Sequence, residues 1–199
     1  MPRPSNKPRI LEAATDLFSR KGFRATTVRD IAEAAGMVSA GLYAHIATKE
    51  DLLVEIVREA AEEFEQALAP LVALPLEPPE KLRQAVRAHL EVVTQSPARA
   101  RIFLDEWQAL SPPRRESVQR WRERYEAHWA AILQEGAEQG AFLVEDLALA
   151  RVFVLSCLNA VNRWYRPDGR LGVEEVADRY ATWLLRVLAG PVDKTNHPR

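Results

Sequence analysis

Apolar residues in the first twenty positions recur three and four places apart, which is the spacing of one face of an α-helix. The pattern predicts a first helix over residues 7–21. Gly22 follows it, and glycine is typical of a helix end because it adopts left-handed backbone angles without strain. The apolar face of this helix is formed by Ile10, Ala13, Ala14, Leu17 and Phe18.

Two further short helices are indicated in the next 25 residues. Thr27 offers a capping hydroxyl, so a second helix begins after it and ends at Gly36. A third helix begins near Ser39, with Leu42 and Ile46 four places apart and facing inward. Two short helices joined by a tight, glycine-containing turn form a helix-turn-helix unit, whose second helix enters the major groove of DNA.

The rest of the chain repeats the helical spacing between breaks rich in proline and glycine. These patterns predict an all-α protein of about nine helices. A helix-turn-helix DNA-binding domain over residues 1–48 precedes a ligand-binding and dimerisation domain over residues 49–190, and residues 191–199 are expected to fray. The larger domain begins with a long helix from residue 49 to about 71, followed by helices near 80–94, 98–110, 112–139, 146–165 and 174–188.

Composition excludes several classes of protein. Glycine is scarce, at 8 of 199 residues, which disfavours an all-β fold. Hydrophobic residues make up 47% and charged residues 28%, so a disordered chain is also excluded. No run of 18 apolar residues occurs and the N-terminus is polar, which predicts a cytoplasmic protein with no membrane span. Cys157 is the single cysteine, so no intramolecular disulfide can form.

Charge is distributed unevenly along the chain. The first 50 residues carry eight basic and five acidic side chains, whereas the remainder carries 19 and 23. A basic head on a mildly acidic body favours contact between the head and nucleic acid, although the excess is small.

One pattern of residues at fixed spacings spans the three predicted short helices and the start of the fourth. It reads Ile10-x-x-Ala13-Ala14-x-x-Leu17-Phe18-x-x-x-Gly22-Phe23-x-x-Thr26-Thr27-Val28-x-Asp30-Ile31-Ala32-x-x-Ala35-Gly36, then Leu42-Tyr43-x-His45 and Lys49-Glu50-x-Leu52-Leu53. Over residues 7–55 the chain thereby resembles the tetracycline-repressor (TetR) family of bacterial transcriptional regulators. The resemblance implies a homodimer that binds a palindromic operator in double-stranded DNA. The chain departs from the family pattern at Val38, where a Ser or Thr cap is usual, and at Ile46, where an aromatic residue is usual.

The predicted DNA contacts lie on the second and third helices and at the start of the fourth. Small residues at the start of the third helix let its backbone approach the groove, although Ala40 and Gly41 offer no side-chain donor for reading bases. Arg29 is expected to contact a base or the backbone, while Tyr43 and Lys49 are expected to hold phosphates. The full predicted set is Thr27, Arg29, Ser39, Ala40, Gly41, Tyr43, His45 and Lys49.

The larger domain is rich in aromatic residues; such residues more often form a core, but they also line the pockets in which helical sensor domains bind small molecules. The segment from Asn159 to Gly169 resembles the carboxy-terminal half of TetR-family regulators of fatty-acid and aromatic-acid degradation, whose effectors are acyl-coenzyme A thioesters. Arginines 99, 101, 114, 115, 120 and 122 would suit the phosphates of such a ligand. The predicted ligand-binding residues are Phe103, Trp107, Trp121, Tyr125, Trp129, Asn159, Asn162 and Arg163.

The last two long helices carry apolar residues on more than one side, which favours burial against a second copy of the chain. In the resembling family these helices form a four-helix dimer interface. The predicted interface residues are Leu155, Leu158, Tyr180, Trp183, Leu184 and Val187.

No catalytic motif is present, and the four histidines lack the spacing of metal ligands. We therefore expect that the protein is not an enzyme and that it binds neither a metal nor a cofactor. The leading interpretation is a dimeric repressor released by an acyl-coenzyme A. An activator of the same fold, a regulator of efflux or detoxification genes that senses an aromatic compound, and a helical adaptor that does not bind DNA are the alternatives.

Overall fold

The computed structural model describes residues 6–190, so the predicted fraying of residues 191–199 lies outside the described residues. In the described part of the chain the structure is entirely helical, which confirms the predicted fold class. The α-helices are α1 (Lys7–Lys21), α2 (Val28–Ala34), α3 (Ser39–Leu42), α4 (Lys49–Val72), α5 (Pro78–Gln95), α6 (Pro97–Asp105), α7 (Pro112–Glu138), α8 (Leu147–Asn159), α9 (Val161–Trp164) and α10 (Val173–Leu188), with a 3-10 turn at Glu106–Ala109.

Two of the predicted helices are divided in the structure. The helix expected over residues 98–110 ends as α6 at Asp105 and continues as the 3-10 turn. The helix expected over residues 146–165 turns at Ala160 and continues as the single-turn α9. Counted as one bent helix, α8 and α9 bring the α-helices of residues 6–190 to nine.

The helices of residues 6–190 group into two compact units. The first contains residues 6–63 together with Ser96–Glu123, and in it α1 packs against α2 and α6 while α2 packs against α3. The second contains Phe64–Gln95 and residues 124–190, and in it α5 packs against α8, α9 and α10. The predicted domain boundary between residues 48 and 49 stays a prediction.

Local chemistry explains where the first helices begin and end. Thr27 and Asp30 form the reciprocal capping box of α2: the Asp30 amide donates to the Thr27 hydroxyl at 3.1 Å, and the Thr27 amide donates to the Asp30 carboxylate at 2.9 Å. These hydrogen bonds lower the pKa of Asp30, so the cap is charged at neutral pH. Gly22 ends α1 with a φ of 83°, as its position in the sequence predicts.

No helix within residues 6–190 has both the length and the apolar character that crossing a membrane requires.

Candidate DNA-binding and effector sites

The turn between α2 and α3 is held by the backbone and by one arginine from α1. Gly36 adopts a φ of 65°, which favours glycine, and the Met37 amide donates to the Ala32 carbonyl at 2.8 Å. Arg9 donates to the carbonyl of Ala35, the C-cap residue of α2, at 2.8 Å. A cation at a helix C-terminus is favourable, so α1 fixes the geometry of the helix-turn-helix unit.

Helix α3 presents small and polar residues to solvent. Its cap is Val38, which makes no side-chain capping bond in the described structure, so the departure from the family pattern is real. Tyr43 is 57% exposed, and Ala40 and His45 are exposed as well, whereas Ser39 and Gly41 are half-buried. Leu42 and Ile46 are buried beneath them, as the apolar pattern predicts.

Space inside the protein does not require glycine at position 41. A Cβ atom there would meet only ordinary van der Waals neighbours, the nearest being Met37 Cε at 3.6 Å. Packing among the described residues therefore does not explain the glycine at this position.

Two of the remaining predicted DNA contacts are exposed on α2 or at its start. Arg29 is exposed. Thr27 is also exposed and lies at the N-terminus of α2, where its hydroxyl already serves as the helix cap. Both can face a DNA backbone, and their contacts with DNA stay predictions.

Lys49 is placed differently from the prediction. Its ammonium donates to the backbone carbonyls of Phe23 and Thr26, at 2.8 and 2.6 Å, and lies 4.2 Å from the centroid of the Phe23 ring. Partial burial lowers the pKa of this lysine, with Asp30 opposing the shift. These hydrogen bonds are directed at the α1–α2 loop and favour a structural role for the Lys49 ammonium, while its contact with a DNA phosphate stays a prediction.

Two charged residues connect the 3-10 turn and α7 to the N-terminal helices, through contacts that the sequence did not predict. Glu106, in the 3-10 turn, accepts a hydrogen bond from the Phe23 amide at 2.8 Å. Arg114, near the start of α7, donates to Thr48 at 3.0 Å and to Glu50 at 2.9 Å, and pairs with Asp51. No local motif signals such contacts, since the partners are 63 to 83 residues apart.

The Glu50 carboxylate is central to this network. Ser111 donates to it at 2.7 Å, and that bond, followed by the one from Arg114, lowers the pKa of Glu50 against the opposing effect of burial. The start of α4 is thereby held to the start of α7 by charged hydrogen bonds.

Three of the predicted ligand-binding residues belong to the first unit. Arg122 lies over the Phe103 and Trp107 rings, at 5.0 and 5.1 Å from their centroids, and donates to the Phe103 carbonyl at 2.7 Å. Phe103 is buried, whereas Trp107 and Trp121 are half-buried. The Trp107 indole nitrogen is buried and has no hydrogen-bond partner among the described residues.

The arginines expected to hold ligand phosphates are engaged within the protein. Arg99 pairs with Glu63 at 2.9 Å, and Arg115 donates to the Leu110 carbonyl at 2.9 Å. Arg114 and Arg122 are occupied as described, and Arg120 donates to Ser117 at 2.9 Å. Five of the six arginines therefore have partners within the protein, and their contacts with ligand phosphates stay a prediction.

The second unit brings together Tyr125, Trp129 and Asn159 around a residue that the sequence did not single out, His89. Tyr125, Trp129 and His89 are buried, and the Trp129 indole donates to the Tyr125 hydroxyl at 2.8 Å. That hydroxyl is hydrogen-bonded to Nδ1 of His89, and Asn159 interacts with the same imidazole. Lone histidines carry no motif, so only the fold reveals this cluster. The two remaining predicted residues lie on α9, where Asn162 is half-buried and Arg163 exposed.

The predicted dimer-interface residues divide into two groups. Leu155, Leu158 and Leu184 are buried in the core of their own chain, so they are not an exposed interface and that part of the prediction is wrong. Trp183 and Val187 on α10 are exposed, at 53% and 59%, and Tyr180 is half-buried. Further exposed apolar residues, which the prediction did not name, include Leu149, Val152 and Phe153 on α8 and Trp164 on α9.

In the described part of the chain, no three histidine, cysteine, aspartate or glutamate residues form a group that could hold a metal ion.

A helix-turn-helix unit of this geometry followed by a larger helical region is typical of a class of bacterial transcriptional regulators. Comparison with known proteins identifies the family. The family model for bacterial regulatory proteins of the tetR family matches residues 10–56, and that for the tetracyclin repressor-like C-terminal domain matches residues 75–188. The chain belongs to the TetR family, which confirms the resemblance seen over residues 7–55.

Several relatives match almost the whole chain. The HTH-type transcriptional repressor KstR2 of Mycobacterium tuberculosis is 33% identical over 183 residues, which cover 91% of this chain and 92% of that protein. The crystal structure of PfmR, a TetR family transcriptional regulator from Thermus thermophilus, is 40% identical with a TM-score of 0.81, covering 89% of this chain and 97% of that one. The crystal structure of AibR in complex with isovaleryl coenzyme A and operator DNA is 27% identical in sequence, with a TM-score of 0.80. The match covers 94% of this chain and 100% of that chain.

Proposed function

We propose that the protein is a cytoplasmic, homodimeric transcriptional repressor that binds a palindromic operator and is released by an acyl-coenzyme A thioester. The observation that carries the proposal is a helix-turn-helix unit with an exposed, small-residue recognition helix on a chain similar to KstR2 and AibR throughout its length. KstR2 is a transcriptional repressor, and AibR binds isovaleryl coenzyme A and operator DNA.

DNA is contacted by α2 and α3 in this proposal. Gly41 and Ala40 allow the α3 backbone to approach the major groove, while Tyr43 and Arg29, both exposed, contact phosphates or base edges. Because α3 carries few side-chain donors, backbone contacts and DNA shape contribute a large share of the specificity.

Dimerisation uses the exposed apolar side of α8 and α10. On α8, Leu149, Val152 and Phe153 follow helical spacing and are exposed, and on α10 Trp183 and Val187 are four residues apart. A second copy covering these residues would remove them from water, and its two-fold symmetry would match a palindromic operator.

The effector acts on the segment that carries Phe103 and Trp107. Arg122 holds both rings, and the unpaired Trp107 indole leaves a donor for a ligand atom. Glu106 lies between the two aromatic residues in sequence and bonds to the Phe23 amide, so a displacement of this segment reaches the α1–α2 loop. An effector that binds better when this segment is displaced shifts the population away from the DNA-binding state.

A gel shift with DNA upstream of the gene, repeated with a panel of thioesters and the matching free acids, tests the proposal. We expect specific binding that phenylacetyl-, isovaleryl- or octanoyl-coenzyme A abolishes, with the same thioester raising the melting temperature of the protein. Release by a free aromatic acid as effective as its thioester would instead favour a sensor of aromatic compounds. A protein that binds no DNA specifically would refute the regulator itself.

A further inference from the structure

Val38, the N-cap residue of α3, places an apolar side chain on the surface of the helix-turn-helix unit. The side chain is 75% exposed, whereas Leu42 and Ile46 on the same segment are buried. Its backbone is extended, with φ of −82° and ψ of 146°, and its carbonyl accepts a hydrogen bond from the Gly41 amide at 2.9 Å. The main chain of Val38 therefore helps to form the start of α3, while most of its side chain is open to a partner outside the protein.

Valine is unfavourable at this position of the free protein for two reasons. It has no side-chain oxygen that could accept from a helix amide, and a Ser or Thr at an N-cap stabilises the helix. It also leaves most of an apolar side chain in water. Single exposed apolar residues are common on protein surfaces, but this one replaces a cap in the unit that binds DNA. A contact made only with DNA would account for both costs.

The surface around Val38 offers few groups for hydrogen bonds to bases. Ala40 is exposed, and a Cβ atom on Gly41 would lie 3.8 Å from Cγ2 of Val38, so the glycine leaves that methyl group uncovered. Among residues 38–42 the one side-chain donor is Ser39, which is half-buried. A base pair that faces this surface therefore meets mainly methyl groups.

We propose that Val38 recognises a thymine in each half of the operator by packing against the C5-methyl group of that base. This methyl is the apolar group that base pairs present in the major groove, where the other base edges present donors and acceptors. Valine cannot pair with those polar groups, and covering them would remove their water, so the contact favours thymine over the other bases. The inference rests on the proposed binding of α3 in the major groove, and it names the residue and the base that set specificity there.

Deoxyuridine isolates this contact, because it differs from thymidine only in lacking the C5-methyl group. The probe is the operator fragment found by the gel shift with upstream DNA, in which one thymine at a time is replaced by deoxyuridine. Loss of one buried methyl group should weaken binding about fourfold, and its loss from both half-sites about fifteenfold. We expect the wild-type protein to show this loss at one thymine of each half-site.

Variants at position 38 show whether valine is the partner of that methyl group. Val38→Ser removes both valine methyls and supplies a capping hydroxyl, so it should bind the thymine and deoxyuridine operators equally, with a melting temperature no lower than that of the wild-type protein. Val38→Thr keeps one methyl group and should retain part of the ratio. Leu143→Ser is the matched control, since Leu143 is 66% exposed and lies outside the helix-turn-helix unit; its ratio should equal that of the wild-type protein.

The same measurements separate a methyl contact from recognition of DNA shape. A deoxyuridine effect that is as large with Val38→Ser as with the wild-type protein would assign the preference to DNA shape and overturn the inference. Equal binding of the wild-type protein with deoxyuridine at every thymine would overturn it too, and in both cases the DNA-binding regulator would stand. If no upstream fragment were bound specifically, the proposed function would fail together with the inference.

Discussion

Replacing Lys49 by methionine tests whether this residue supports the fold or holds DNA. The substitution keeps the aliphatic stem and removes an ammonium that donates to two backbone carbonyls, Phe23 and Thr26, and lies over the Phe23 ring. Hydrogen bonds from a charged donor contribute about 1.5–3 kcal/mol, and a cation–π contact about 0.5–2 kcal/mol. Because one half-exposed cation makes all of these contacts and recovers its hydration when they break, we expect a net loss of about 2 kcal/mol.

In a domain of this size such a loss corresponds to a melting temperature lower by about 4–8 °C. The second measurement is the dependence of DNA affinity on salt concentration. A lysine that holds a phosphate contributes about one unit to the logarithmic slope. We expect Lys49→Met to weaken binding without changing this slope, because the ammonium is directed at the protein. Arg29→Ala is the matched control, since Arg29 is exposed: its slope should fall by about one unit with the melting temperature unchanged.

An unchanged melting temperature for Lys49→Met, combined with a slope lower by about one unit, would refute this reasoning and restore the phosphate contact.

Three further predictions follow from the corrected placement of residues. Val187→Glu should convert the dimer to monomers in sedimentation experiments, and monomeric wild-type protein would contradict the interface. Leu184→Ala, at a position that is 3% exposed, should instead lower the free energy of unfolding by about 2–5 kcal/mol. Glu106→Ala should reduce the effector's power to release the operator at least about fivefold while the effector still binds, and an unaltered release curve would exclude Glu106 from the coupling. His89 has a pKa of about 3 when folded, below its unfolded value, so the unfolded chain binds the extra proton and stability should fall as the pH decreases below about 6.5. This acid sensitivity should be weaker in His89→Gln, and equal pH profiles of the two melting temperatures would refute the assignment.

The helix-turn-helix region could be predicted because its determinants are local. The Thr27 cap is satisfied three residues away, and the left-handed backbone at Gly22 and Gly36 is a property of single positions. Short-range rules of this kind need no knowledge of the rest of the fold, which is why the bounds of α1 were predicted to the residue.

The role of Lys49 could not be predicted in the same way. A lysine at the start of a helix suits a phosphate as well as it suits a nearby carbonyl, and its partners here are 23 and 26 residues away. The two sides of α8 show the same limit. Leu158 and Val152 are equally apolar, so the pattern predicts two apolar sides without telling which one the core covers; the structure buries Leu158 and exposes Val152.

The contacts of Glu106 and Arg114 bear on how large a response the effector can produce. A hydrogen bond such as that of Glu106 to the Phe23 amide contributes about 0.5–1.5 kcal/mol, and charged hydrogen bonds such as those of Arg114 to Glu50 contribute about 1.5–3 kcal/mol before solvent screening reduces them. Coupling between two sites in regulators is typically about 1–3 kcal/mol, so the loss of these few bonds is sufficient to account for it. The coupling then requires no large rearrangement of α4: displacing the turn at Glu106 breaks its bond to the α1–α2 loop, and the α2–α3 unit loses part of the support that positions it for DNA.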